Sequence, residues 1–122
     1  MGLTPVLLFA ETETRCPFLQ WMDSLPPTAQ IKCLVRIERL EAAGPTLSDA
    51  GCSHVADGIR QLLFRCDGIE YAILYFFLKQ QAVIVHGCVV SSRLANSDLA
   101  LASNRKQLFC EQPGRHTYGE DE

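Results

Sequence analysis

The chain has 122 residues, 48% hydrophobic and 20% charged, with a net charge of −3 at pH 7. That length and balance suit a single soluble globular domain with a core of its own. No apolar run approaches the ~20 residues of a membrane span, and the acidic sum lacks the strong positive field typical of nucleic-acid binders.

Leu3 to Ala10 is a short apolar run that reads as a first strand, with Pro5 near its start. No basic stretch precedes it, so a secretory leader is not expected and the cytoplasm is the expected location. From Cys16-Pro17 the period changes: Phe18, Trp21, Met22 and Leu25 recur at helical spacing. Pro26-Pro27 ends this helix and opens the next. In the second helix Cys33, Leu34, Ile37 and Leu40 are expected to make the buried stripe. Lys32, Arg36 and Arg39 share one face, expected to look out to solvent. Ala43-Gly44-Pro45 is a stop, and residues 46–57 read as loop.

Three apolar runs follow, about Ile59–Cys66, Ile69–Leu78 and Ala82–Val90, separated by Asp67-Gly68 and Lys79-Gln80-Gln81. Runs broken by such short turns predict an antiparallel meander. The second and third are apolar at nearly every residue, which predicts burial on both faces. Ser91 to Ala95 connects to a last helix, started by Ser97-Asp98, running from Leu99 to about Cys110 and ended by Pro113-Gly114. The fold class is therefore α+β: an N-terminal strand and helical hairpin packed on an antiparallel meander, with a C-terminal helix. The domain spans 1–112, and residues 113–122 form an acidic tail expected to be disordered.

Charge is unevenly distributed. Residues 1–58 carry four basic and seven acidic side chains, residues 59–110 six basic and three acidic, and residues 111–122 one basic and four acidic. The strand-rich part is thus mildly basic between acidic flanks. The six cysteines, Cys16, Cys33, Cys52, Cys66, Cys88 and Cys110, include no C-x-x-C pair. Neither a metal centre nor a cofactor is expected from that spacing. Without an export signal they read as reduced, small hydrophobic residues.

Several segments, in this order and spacing, carry a family resemblance over residues 16–110. They are Phe18-Leu19-x-Trp21-Met22-x-Ser24-Leu25-Pro26, Arg36-Ile37-x-x-Leu40, Asp57-Gly58, Leu74-Tyr75-Phe76-Phe77, His86-Gly87 and Asp98-Leu99-x-x-Ala102-x-x-Arg105. Together they resemble the RelE/HigB superfamily of toxins, and within it the phage-derived HigB-like branch. The resemblance implies the toxin of a type II toxin–antitoxin system, a ribosome-dependent mRNA endonuclease (mRNA interferase) that works without a cofactor. The implied partners are a small helix-turn-helix antitoxin protein and mRNA on the ribosome, with no membrane; a homodimer is a further option.

The chain departs from that family where the chemistry is concentrated. The strand after Asp-Gly usually reads Glu-Leu-Arg, the next carries Tyr-Arg, and lysines follow the His-Gly strand. Here Leu63, Ala72, Val90 and Ser91 occupy the positions of basic residues. Metal-free RNA cleavage needs an activated 2′-hydroxyl and positioned donors for the phosphorane charge. Each lost donor typically lowers the rate by ~100-fold or more.

The remaining catalytic candidates are Arg65, His86 and Arg93. Arg65 follows Leu63 by two residues and so shares its strand face; the family often has a second arginine there. His86 ends the apolar part of its run and offers an imidazole for acid–base work, and Arg93 lies in the loop beyond. Arg60, Lys79 and Tyr71 are the RNA-binding candidates. Each has a plainer reading: His86 as a hydrogen-bonded core histidine, Arg65 paired with Asp67 or Glu70, Tyr71 and its neighbours as core. Three functions stay open: an active endoribonuclease toxin, a catalytically degenerate module that binds an antitoxin-like partner, or a shared architecture with an unrelated role.

Overall fold

Because both faces of the central strands are apolar, helices cover both. The computed structural model describes residues 3–47 and 52–119. Its five strands are β1 (Val6–Leu8), β2 (Cys52–Ala56), β3 (Ile59–Cys66), β4 (Ile69–Leu78) and β5 (Gln81–Val90). They form one mixed sheet in the order β1-β5-β4-β3-β2. β2 to β5 run antiparallel in sequence, and β1 joins β5 in parallel. The helices are α1 (Pro17–Asp23), α2 (Pro27–Ala43), α3 (Asn96–Glu111) and α4 (Pro113–His116). The α+β class is that expected from the sequence.

The two faces make two cores. On one, Phe18, Ala29, Cys33 and Leu40 of the helical hairpin pack on Leu62, Phe64, Tyr71, Ile73, Tyr75 and Ile84. On the other, Ala102 and Phe109 of α3 pack on Ile59, Ala72, Leu74, Phe76, Val83 and Val85. Adjacent strand residues alternate between these cores, as a period of two requires.

Three expectations are corrected. Residues 52–56, read as loop, form β2. The Asp57-Gly58 turn that folds it back has both residues at positive φ, 55° and 77°, like Asp67-Gly68 at 54° and 81°. These are the dihedral signs of the two-residue turn that matches strand twist. Cys52-Ser-His-Val-Ala lacks apolar alternation, which hid the strand.

Lys32 and Arg36 reach back to the sheet, Arg36 half-buried and Lys32 still exposed. Arg36 Nη2 donates to the Leu63 carbonyl at 2.7 Å, and Lys32 Nζ to the Arg65 carbonyl at 3.0 Å. β2 pairs with β3 only as far as Leu62 among the described residues. The next outward carbonyls are therefore satisfied by helix side chains, which meets the requirement on buried backbone polar groups.

The tail is ordered through Gly119. His116 is buried; its ring stacks on Phe9 at 5.1 Å and its Nδ1 lies 2.7 Å from the Ala10 carbonyl. Tyr118 N donates to Leu8 O at 2.9 Å, so this segment covers the free edge of β1. Residues 120–122 lie outside the described residues.

Candidate functional site

A bulge in β5 decides where His86 points. Tyr75 pairs with Ile84 and Leu74 with His86, leaving Val85 as the extra residue. Unbroken alternation would place His86 with Ile84 in the core under α1 and α2. The inserted residue turns it to the α3 face instead. Gly87 next to it then faces Trp21, whose ring occupies the space a Cβ would need.

On the α3 face His86 is held from both sides. Its Nε2 lies 2.8 Å from Asp98 Oδ1, in the first turn of α3. Its Nδ1 lies 3.3 Å from Arg105 Nη1, which also donates to the Val85 carbonyl at 2.8 Å. Arginine only donates, so Nδ1 accepts and the Nε2–H donates to the carboxylate. Arg105 also lies over the Phe9 ring at 5.8 Å and 3.8 Å from Glu11 Oε2. Burial lowers its pKa from the usual arginine range, with Glu11 acting in the opposite direction. With both nitrogens engaged, the imidazole has no free lone pair to accept a proton from an RNA hydroxyl.

Cys88 follows on the same strand face. Burial first, and the Asp98 charge second, push its thiol up to about 12. Ligand atoms of His86, Cys88 and Asp98 all lie within 4.8 Å of one another. Cys88 is paired with Ala72 and Ala72 with Leu63, so the three make one row across β5, β4 and β3. Ala72, Cys88 and Val90 are buried and Leu63 is half-buried against the same core. The row is apolar from end to end.

The sequence candidates are spread over the sheet. Arg65 is exposed opposite Glu70, and Val90, the last residue of β5, is also opposite Glu70. Arg93, exposed three residues on, thus belongs to the same end of the sheet. His86 is opposite Leu74, four residues further along β4, or ~13 Å at the rise of a strand. Arg65 and His86 therefore do not meet. Tyr71 is 4% exposed on the other face, stacked on Phe64 at 5.1 Å and edge-on to Trp21 at 6.1 Å. Arg60 is half-buried opposite Tyr75, and Lys79 forms the β4–β5 turn at the far end.

The residues that surround His86, namely Cys88, Asp98 and Arg105, were not singled out as site residues from sequence. Their periodicity was available: His-x-Cys shares a strand face, and Asp98 and Arg105 are seven apart on a helix. No helix is long and apolar enough to cross a membrane among the described residues.

Against known proteins, a family model described as phage derived protein Gp49-like (DUF891) matches residues 20–107. No curated protein and no solved structure matches the chain.

Proposed function

Because the chain belongs to the phage-derived Gp49-like protein family, a toxin-like group, we propose that it is the toxin-type member of a type II toxin–antitoxin pair. On this reading it keeps a RelE/HigB-like scaffold, binds an antitoxin-like protein, and has lost RNA cleavage. The observation that carries the proposal is the apolar row Leu63–Ala72–Cys88, flanked by Val90. All four positions where the resemblance implies basic side chains (Leu63, Ala72, Val90 and Ser91) are neutral. Ala72 is fully buried, so an arginine there has neither room nor solvent.

Binding has surface to use. Ile31, Val35 and Leu34, the last expected from sequence to be buried, stand exposed on the outer side of α2 at i, i+4 and i+3, the spacing by which helices dock on a partner. A second reading, an active ribosome-dependent mRNA endonuclease, is favoured by Arg65 and Arg93, exposed at one end of the sheet.

Controlled expression in bacteria separates the two, with growth followed alongside primer extension on translated transcripts. Normal growth and intact transcripts, with folded protein present, support the binding module. Growth arrest with translation-dependent cuts would overturn it in favour of the endonuclease.

A further inference from the structure

We propose that His86, Cys88 and Asp98 form a binding site for a divalent transition metal of the zinc class, joining the start of α3 to β5. The site is independent of the toxin reading. An imidazole nitrogen, a sulfur and a carboxylate oxygen are the donor types that zinc and cobalt accept. Among the described residues, this is the group of three such side chains whose ligand atoms converge, all within 4.8 Å of one another.

The convergence is built by the fold. The bulge at Val85 turns His86 onto the face of Cys88, and the start of α3 carries Asp98 over that face. His86 Nε2 and Asp98 Oδ1 already stand 2.8 Å apart. Metal–nitrogen and metal–oxygen bonds of ~2.0 Å and a metal–sulfur bond of ~2.3 Å require tetrahedral donors roughly 3.3–3.7 Å apart. His86 Nε2 and Asp98 Oδ1 stand slightly inside that spacing, and the three donors together lie within 4.8 Å.

The His86 and Asp98 side chains are 13% and 26% exposed, so the site is not sealed from solvent. Two features oppose binding: the raised Cys88 thiol, which must lose its proton to the metal, and Arg105. Once Nε2 binds metal, Nδ1 carries the proton and faces a donor. The contact with His86 is the longer of two made by Arg105 Nη1, 3.3 Å against 2.8 Å to Val85 O. Arg105 can therefore release the ring and keep its carbonyl.

The test is titration of the purified, reduced full-length protein with Co²⁺, followed by optical absorption, and with Zn²⁺ by calorimetry. One equivalent of Co²⁺ should give a near-ultraviolet thiolate-to-cobalt charge-transfer band that added Zn²⁺ abolishes. The band should vanish in Cys88→Ser and persist in Cys110→Ser, whose cysteine is exposed on α3. Asp98→Asn retains the thiol and should bind about 10-fold or more weakly, covering the case in which Cys88→Ser does not fold. Absence of a thiolate band in folded wild-type protein would overturn the site. So would a band that survives in Cys88→Ser, or Co²⁺ affinity unchanged in Asp98→Asn.

Discussion

Trp21 of α1 lies over Gly87 of β5, in the volume a β-carbon at position 87 would occupy. The glycine of the His86-Gly87 pair therefore serves packing: it lets an indole reach the sheet, edge-on to Tyr71 and tilted against Phe18. Gly87→Ala should destabilise the domain by about 1–3 kcal/mol through overpacking. Urea denaturation of Gly87→Ala, Trp21→Leu and the double variant would measure it. The double variant should lose less than the sum of the singles, since one collision is removed by either partner.

Arg36 is expected to act as a backbone clasp. Arg36→Met should reduce stability by about 1–3 kcal/mol, because the Leu63 carbonyl loses a charge-assisted donor. Lys32→Met, whose side chain is exposed, should change stability much less. Equal, negligible effects of the two in chemical denaturation would show that the carbonyls find water instead.

Position 72 should reject the basic residue that the family resemblance implies. Ala72→Arg places a guanidinium beneath α3 with no paired charge, and should cost about 3 kcal/mol or more. Leu63→Arg, at a half-buried position in the same row, should be tolerated. Melting temperatures compared with that of the wild type would check both, and a stable Ala72→Arg protein would show that α3 yields.

Stability should fall in alkali. Burial raises the Cys33 thiol from an ordinary 9.0 to about 12, and burial with Asp98 does the same to Cys88. The unfolded chain sheds these protons first, so the folded state is the one that holds more. Their contribution is whole below about pH 9 and is lost as the pH rises through about 12, with a slope of about 1.4 kcal/mol per pH unit for each thiol. Cys33→Ala should remove one proton's share of that slope in denaturation curves taken across the interval.

Much of the architecture was legible because local chemistry determines it. Asp67-Gly68 tolerates the positive φ of a tight hairpin, and continuous apolar runs form strands covered on both sides. The limits Ile59–Cys66 and Ile69–Leu78 follow from those two facts alone. Pro26-Pro27 separated the helices for an equally local reason, the missing N–H and the fixed φ of proline. The family resemblance likewise rested on order and spacing along the chain.

What tertiary structure decided was the direction and partner of individual side chains. Val85 is an ordinary apolar strand residue in sequence, yet as a bulge it moves His86 from one core to the other. Nothing local marks that insertion, because it depends on how β4 and β5 register. Lys32 and Arg36 read as a solvated face since the β3 carbonyls that they reach lie about thirty residues away. His116 looked like part of a polar tail until Phe9 gave it a surface to stack on. Periodicity states which residues share a face; only the packed chain shows what that face meets.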